Sequence, residues 1–311
     1  MEKKYEIKNG CIVSTSETGN GDGNISLHIN PTSKETNNLK TQKGIDEHTL
    51  ASALDPDEVP RIEFEPDHFV IIWKQPQKCI NDGTFKFEVT SIAVFVFKDS
   101  MDIIVTDDFP IFESRHFYKI TSINDVLLRI LSGTISHFLG HLKVIDSISN
   151  EIKQKVNMSM ENRYLLQMFD LSESLVYYLN AITSNGSVLE KLHLSAGKLG
   201  FKSSELEILE DVRIDNNQCY KQAEIFATIL TGLMDARGTV VNNNVNTLLK
   251  RLTIINTIFL PLNLLASIGG MSEYSLWTGK ISWPLAYGLF ILGMMIISVI
   301  TFIFINPNGF K

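Results

Sequence analysis

Two long apolar runs occupy most of the last 60 or so residues of the chain. They are 252–271 and 284–305, each about 20 residues long and without a formal charge. At about 1.5 Å of rise per residue, a helix of this length crosses a hydrocarbon core of about 30 Å. Lipid offers no hydrogen bonds to an open backbone, so both runs are predicted to be membrane-spanning helices. The link between them, 272–283, is short and polar enough to lie in water.

The remaining part of the chain is large enough for a hydrophobic core, since about 250 of the 311 residues lie outside the two runs. The formal net charge of −7 gives no basic surface for nucleic acid, so no nucleic-acid partner is predicted. Cys11, Cys79 and Cys219 are far apart and form no CxxC motif. This usage indicates a reducing compartment and argues against a disulfide framework or a structural zinc site.

Basic residues near the apolar runs predict the orientation. Lys250 and Arg251 precede the first run and Lys311 ends the chain, whereas the link carries Lys280 alone. The positive-inside rule then places both termini in the cytoplasm and the link outside. No apolar h-region follows Met1, so no cleavable signal peptide is predicted. We therefore expect a multi-pass protein of the cell (inner) membrane.

Changes in composition divide the rest of the chain. Residues 1–43 are rich in Asn, Ser, Thr, Lys and Gly, and are predicted to be a flexible N-terminal segment. Residues 44–121 predict a cytoplasmic α/β domain, and residues 122–251 a long helical stalk. The predicted fold class is thus an α+β cytoplasmic domain with long stalk helices and two C-terminal transmembrane helices. The remaining segments are 252–271 (first transmembrane helix), 272–283 (external loop), 284–305 (second transmembrane helix) and 306–311 (cytoplasmic tail).

Individual elements follow from periodicity and turn signals. Val, Ile and Phe concentrate in short runs separated by turns such as DGT and KDSMD, which is typical of a small sheet. The predicted strands are 62–64, 69–74, 85–90, 92–97 and 103–106. The predicted helices are 45–54, 123–157, 161–184 and 203–249, the last of which runs into the membrane.

Polar side chains follow one side of the first membrane run. At about 100° per residue they fall within an arc of roughly 120°, which Leu249 and Leu260 share. Two interpretations are open: hydrogen bonding between packed helices, or the lining of a water-filled path. Two spans cannot enclose a path, so a pore would require a homo-oligomer. The polar stripe consists of Asn246, Thr253, Asn256, Thr257, Asn263 and Ser267.

The end of the first run has features of a pore mouth. Pro261 removes one helical hydrogen bond, which either frees a carbonyl near the stripe or is merely tolerated. Gly269 and Gly270 are typical helix terminators. Ser272 and Glu273 follow directly. A ring of glutamates there would concentrate cations, whereas a single surface acid is more often only solvated.

Three segments at this end of the chain resemble the CorA family of divalent-cation transporters. NNVNTLLKRLT at 243–253 is similar to the family pattern N-x-x-x-K-x-L-T, and IFLPL at 258–262 to I-F-x-P-L. GMS at 270–272 is similar to the Gly-Met-Asn signature that closes the family's first membrane helix. Upstream, Leu54 with PRIE at 60–63 and LEDV at 209–212 also resemble family motifs. The resemblance extends from about residue 44 to residue 305.

The resemblance implies a funnel-like homopentamer whose five first membrane helices surround a pore for hydrated Mg2+, and sometimes for Co2+, Ni2+ or Zn2+. Three of the matching leucines would be hydrophobic constrictions that close the pore by dewetting. The positions that match pore-lining residues are Asn246, Leu249, Leu252, Asn256, Leu260 and Asn263. The selectivity mouth would be formed by Gly270, Met271, Ser272 and Glu273.

The resemblance also implies a regulatory metal between subunits. Asp211 matches a stalk aspartate that helps to bind it, but its partner position is Ser52 rather than an acid. Asp55 and Asp57 lie close by and are candidate substitutes; the alternative is that metal gating is absent. No cofactor is predicted other than the divalent cation itself, as substrate and as regulator.

Departures from the family pattern leave two alternatives. Ser272 replaces an asparagine, the link lacks the Met-Pro-Glu-Leu segment, and the tail lacks a lysine cluster. A hydroxyl reaches less far than an amide toward the water shell of Mg2+, which sheds that shell reluctantly. The alternatives are therefore a Zn2+-type transporter of the same superfamily and a non-conducting membrane scaffold or sensor.

An enzyme is not predicted. His137 and His141 are spaced for one helix face, but no glutamate lies between them as in HExxH. The other upstream histidines include His48, His68, His116 and His193. No GxxxxGK[ST] nucleotide motif and no serine elbow is present in the sequence.

Overall fold

The computed structural model of the protein describes residues 1–15, 23–81, 84–112, 117, 119–158 and 162–305. The chain divides into two compact units, Met1–Met234 and Asp235–Lys311. His116, Glu161 and the predicted tail 306–311 lie outside the described residues.

The first unit combines a sheet with long helices, and its last helix continues into the second unit. The strands are β1 (Glu2–Lys8), β2 (Cys11–Ser14), β3 (Ile25–Ile29), β4 (Arg61–Phe64), β5 (His68–Asn81), β6 (Thr84–Phe97) and β7 (Met101–Val105). The helices are α1 (Ser33–Lys43), α2 (Glu47–Ala53), α3 (Ile123–Met158), α4 (Asn162–Ser195), α5 (Ser203–Gly269), α6 (Ser272–Trp277) and α7 (Trp283–Ile305).

The seven strands form one mixed sheet in the order β2-β1-β3-β7-β6-β5-β4. β3 and β7 are parallel, and the other neighbours are antiparallel. Both faces of the central strands are apolar, because side chains alternate between two cores. In β5, Ile71 and Trp73 belong to the larger core with α3 and α4, while Val70 and Ile72 belong to a smaller core with α1 and α2.

Residues 1–43 differ from the sequence prediction of a flexible segment. They contain β1, β2, β3 and α1, and β3 joins the centre of the sheet by pairing with β7. Ile25, Leu27 and Ile29 are buried in the larger core. The average polarity of the segment hides these alternating apolar residues, and the partner that orders them lies more than 70 residues away. Residues 16–22 of the segment are outside the described part.

The hairpin β5–β6 is longer than predicted. The runs 85–90 and 92–97 form one strand, and β5 continues past Lys74 to Asn81, so each strand has 14 residues. The second half of β5 is polar, so a hydrophobic pattern does not predict it as a strand. Its pairing with β6 nevertheless continues, for example between Gln75 and Thr90. The long helices agree with the predicted pattern, although α4 continues beyond its predicted end to Ser195. α5 runs on through the first apolar run to Gly269, as predicted for a helix that enters the membrane. The predicted external loop contains the short helix α6.

Asn185 on α4 completes the backbone pairing of β5. Its Oδ1 accepts a hydrogen bond from the Lys74 N–H at 3.0 Å, and its Nδ2 donates to the Lys74 carbonyl at 2.8 Å. β4 pairs with β5 only as far as Ile72, so the backbone of Lys74 lies just past the end of that strand. The fully buried Asn185 amide therefore takes the place of a strand residue and fixes α4 against the sheet.

Replacing this amide should destabilise the first unit. Asn185→Leu leaves a buried N–H and a buried carbonyl unpaired, at a cost of about 3 kcal/mol, given roughly 1–3 kcal/mol for each group. We expect the thermal midpoint of the purified protein to fall by about 5–10 °C. Asn180→Leu, at an exposed position of the same helix, is the matched control and should shift it by less than about 2 °C. Equal midpoints for the two variants would contradict the role of Asn185.

Candidate functional site

The polar stripe lies on the exposed side of α5. Asn246, Asn256 and Asn263 are all exposed within the chain. Leu249, Leu252 and Leu260, which match pore-lining positions, are 54%, 57% and 71% exposed. The half-buried positions point the opposite way at about 100° per residue. They are Ile254, Ile258, Pro261, Leu262 and Leu265.

The hydroxyl groups of the stripe are bonded to their own helix. Thr253 Oγ1 donates to the Leu249 carbonyl at 2.9 Å, and Thr257 Oγ1 donates to the Thr253 carbonyl at 2.8 Å. Ser267 Oγ donates to the carbonyl of Asn263 at 2.8 Å. Each hydroxyl has thereby used its only hydrogen, so the oxygen offers acceptor lone pairs to its surroundings.

The asparagine amides of the stripe are available for other partners. No hydrogen bond joins the side chains of Asn246, Asn256 or Asn263 to any residue that the structure describes. An amide offers both a carbonyl acceptor and N–H donors, and each group needs a partner when it lies away from water. The amides at 256 and 263 lie within a helix long and apolar enough to cross a membrane, so they require a second chain or water beside them.

The helix end at the predicted pore mouth is closely packed. α5 continues through Pro261 and ends at Gly269. A Cβ built on Gly269 would lie 2.6 Å from Cζ of Phe290 on α7, so a larger residue would force the ring to move. Gly270 and Met271 follow, and Met271 adopts an extended conformation before α6. The glycine therefore permits a close approach of the two membrane helices at this end.

The other mouth residues are exposed and polar. Ser272 Oγ donates to Glu273 Oε2 at 3.3 Å, and both side chains face solvent in the single chain. The aromatic residues beside them pack together: the Tyr274 ring lies 5.4 Å from Phe290 and 6.2 Å from Tyr287. These contacts hold α6 against the start of α7.

Large apolar residues around α6 have no cover in the single chain. Leu276 is 83% exposed, Trp277 87% and Trp283 75%. Sequence analysis did not single them out, although tryptophans that flank apolar helices are typical of a membrane–water boundary. They lie at the ends of the two apolar helices, where the headgroup region of a bilayer would be.

The two aspartates predicted to bind a regulatory metal lie on separate elements. Asp211 is on the exposed side of α5, and Asp55 follows α2 on an exposed turn. Ser52, which stands where the family has an acid, is only 5% exposed. Among the described residues, no group of three or more His, Cys, Asp or Glu side chains is placed to hold a metal within one chain.

A buried lysine accompanies the turn that carries Asp55, and sequence analysis did not identify it. Lys74 is 7% exposed and its ammonium donates to the Pro56 carbonyl and, at 3.1 Å, to Ser91 Oγ. Burial lowers the pKa of Lys74, and the nearby carboxylates of Asp57 and Asp55 oppose that effect. The turn that carries Asp55 thus already has the Lys74 ammonium beside it.

The predicted histidine pair is structural in its contacts. His141 is buried, and its Nδ1 lies 2.6 Å from the Tyr178 hydroxyl. The His137 ring stacks on Phe109 with centroids 5.1 Å apart, and 4.4 Å separates it from the His141 ring. Within the described ranges, no third metal-binding side chain joins them.

Comparison with known proteins agrees with this architecture. A model of the family described as CorA-like Mg2+ transporter protein matches residues 27–306. The cobalt/magnesium transport protein CorA of Methanocaldococcus jannaschii is 23% identical over 287 residues, which cover 88% of this chain and 87% of that protein. The CorA of Thermotoga maritima is 24% identical over 272 residues, 85% of this chain and 76% of that protein.

Solved structures show the same fold. The complete structure of the M. jannaschii magnesium transporter CorA superposes with a TM-score of 0.79 at 21% identity, covering 99% of this chain and 97% of that one. The cytoplasmic domain of ZntB from Vibrio parahaemolyticus gives a TM-score of 0.60 at 13% identity, covering 78% of this chain and 98% of that one.

The mixed sheet, the long helices and the two apolar C-terminal helices define a membrane protein with a large domain outside the bilayer. With the family model matching about nine tenths of its length, the chain belongs to the CorA-like Mg2+ transporter family, as the motifs at 243–272 predict.

The exposed tryptophans give a test of where the bilayer lies. In vesicles whose lipids are brominated near the headgroup, we expect the fluorescence of Trp277 and Trp283 to be quenched, because bromine quenches on contact. Trp73, on β5, is fully buried in the larger core and is the internal control. The double variant Trp277→Phe, Trp283→Phe should lose the quenching and keep the Trp73 emission. Equal quenching in the wild type and the double variant would contradict this placement.

Proposed function

We propose that this protein is a CorA-type channel that passes hydrated Mg2+, Co2+ or a related divalent cation through a pore lined by α5. The observation that carries the proposal is the exposed stripe of amides, without hydrogen bonds to any described residue, on a helix long and apolar enough to cross a membrane. The relatives described as cobalt/magnesium transport proteins support the choice of ion.

The pore requires several copies of the chain, and we propose a homopentamer. The stripe and the half-buried face of α5 point in opposite directions, so the second face can pack toward α7 while the stripe faces a central axis. Five stripes around one axis would give these amides water and ions as partners. The number five comes from the resemblance to the family.

The chemistry of the stripe suits an ion that keeps its water shell. Mg2+ dehydrates reluctantly, so its bound water molecules are what the pore contacts, and those molecules donate hydrogen bonds. The carbonyls of Asn256 and Asn263 and the lone pairs of Thr253 and Thr257 are acceptors for them. A lining without formal charge holds a divalent ion weakly enough to release it.

Leucine rings would close the same path. Leu249, Leu252 and Leu260 are exposed on the stripe side. Five copies of each would form apolar constrictions, and a narrow apolar constriction excludes water and with it a hydrated ion. Conduction then requires the helices to move apart at these positions.

The driving force is the electrochemical gradient of the ion. With both termini in the cytoplasm of a cell whose inner membrane holds the protein, an inside-negative potential of 100 mV favours inward movement of a divalent cation by about 4.6 kcal/mol, twice the value of roughly 2.3 per charge. Ser272 and Glu273 would form the outer mouth with Gly270 and Met271, where carboxylates raise the local cation concentration. The proposal needs neither a nucleotide site nor catalysis.

Zn2+ is the second candidate substrate, because of the residue at the mouth. Ser272 places a hydroxyl where the family signature has an amide, which shortens the acceptor and widens the ring around the ion. The likeness to the ZntB cytoplasmic domain is one of fold alone. A looser grip on the water shell weakens the selectivity for Mg2+.

Regulation by a metal between subunits is a further part of the proposal. Asp211 of one copy and Asp55 of its neighbour would supply the carboxylates, both of which are exposed. The ammonium of Lys74 beside Asp55 competes with a metal for the negative charge, so we expect weak binding here.

Removing the stripe amides should abolish conduction. In proteoliposomes that contain a Mg2+ or Zn2+ indicator, the double variant Asn256→Leu, Asn263→Leu should reduce potential-driven flux at least tenfold, because the hydrated ion loses its acceptors. The oligomer mass in detergent should not change.

Asn244→Leu is the matched control, since Asn244 is a half-buried residue on the opposite side of α5. Its flux should stay within about twofold of the wild type. Undiminished flux in the double variant would overturn the pore-lining assignment. An assembled wild-type oligomer that passes neither ion would favour the non-conducting scaffold.

The mouth residue should set the choice between ions. Ser272→Asn restores the longer amide acceptor, so we expect the ratio of Mg2+ to Zn2+ flux to rise at least threefold. Thr278→Asn, elsewhere in the link, is the control and should leave the ratio unchanged. A ratio that does not respond to Ser272→Asn would show that selectivity is set elsewhere.

A further inference from the structure

A cavity of about 300 Å³ lies in the first unit between the sheet and α3. It is bounded by β5, β6, the segment that follows β7, and one side of α3. Most of its wall is apolar, formed by Ile92, Phe109, Pro110, Ile111 and Ile130. This volume is at the lower end of the range for small-molecule sites, which are typically apolar with a few polar groups.

One wall of the cavity carries a buried glutamine whose side chain has no hydrogen bond to a described residue. Gln75 is 5% exposed and lines the cavity, and no hydrogen bond joins its side chain to any residue in the described part of the chain. Gln77, two residues along the strand and on the same side, differs: its Nε2 donates to Asp107 Oδ2 at 2.7 Å. A buried amide needs both a donor and an acceptor, so Gln75 is prepared for a ligand that offers both.

A second polar group faces the same space. His137 lines the cavity, and its Nδ1 is buried without a hydrogen-bonding partner. Burial lowers the pKa of His137, so the ring is neutral near pH 7. Its stacking on Phe109 fixes the ring plane and with it the direction in which Nδ1 can bond.

The charge of the wall restricts the ligand. The described lining residues include no Asp, Glu, Lys or Arg. A charged ligand would therefore lose its hydration without gaining a counter-charge, which is costly in an apolar site. A purely apolar ligand would leave the Gln75 amide and His137 Nδ1 unpaired.

We infer that this cavity binds a small uncharged molecule that has a carboxamide or lactam edge and an apolar body. The edge pairs with the amide of Gln75, one further polar atom bonds to His137, and the body lies against Ile92, Phe109 and Ile130. The site is independent of the pore, since all of its lining residues belong to the first unit.

Benzamide is a suitable probe because it has the edge and the body and no charge. Its binding to the full-length protein in detergent can be measured by saturation-transfer NMR. Benzoate, which is charged, and toluene, which has no polar edge, are the comparison probes. We expect saturable benzamide binding, at least tenfold tighter than binding of either analogue. Gln75→Leu should weaken benzamide binding at least tenfold, because the hydrogen-bonding partner is lost. Subtracting the signal of Gln75→Leu from that of the wild type also removes the contribution of benzamide that has partitioned into the detergent.

Gln77→Leu is the matched control and should leave benzamide affinity within twofold of the wild type. Ser136 is exposed at the rim, so Ser136→Phe tests the site without disturbing the core and should also weaken binding at least tenfold. Three results would overturn the inference: no saturable benzamide binding to the wild type, equal binding of toluene and benzamide, or full binding in both Gln75→Leu and Ser136→Phe.

Discussion

In the first unit the backbone of the β5–β6 hairpin extends past its neighbouring strands, and α4 supplies the missing hydrogen bonds. Asn185 bonds to both backbone groups of Lys74, and Ser174 Oγ accepts from the Phe87 N–H at 3.3 Å. These two contacts lie on opposite edges of the hairpin, because Lys74 follows the end of the β4 pairing and Phe87 lies outside the β7 pairing. The helix is therefore held across the sheet at two points, and the larger core forms beneath it.

In the second unit the backbone groups also need hydrogen-bonding partners, but no side chain has to supply them. A helix satisfies its own backbone, so the polar side chains of α5 are not needed to stabilise it. The threonine and serine hydroxyls bond to helix carbonyls, while the asparagine amides do not. The amides of Asn256 and Asn263 have no such bond to their own helix. Their partners would instead be water or a second chain beside α5.

Much of the architecture could be predicted from local pattern. The membrane helices follow from length and apolarity, and the long helices follow from periodicity. Residues 1–43 could not be predicted, because β3 is ordered by a strand that is distant in sequence. The second half of β5 was missed because Gln75 and its neighbours are polar, and only the pairing with β6 shows that they form a strand. Likewise, the cation beside Asp55 depends on Lys74, which is distant in the sequence and comes close only in the fold.

The polar stripe of α5 also has a consequence for proton coupling. Its members are three asparagines, two threonines and one serine, at positions 246, 253, 256, 257, 263 and 267. Amides and aliphatic hydroxyls do not ionise in the physiological pH range, so the lining keeps one electrostatic state as the cytoplasm becomes more acidic or alkaline. No side chain of the stripe can carry a proton in exchange for a metal ion. The proposed pore, lined in this way, would be a passive conductor, in which transport follows the gradient of the cation rather than that of protons.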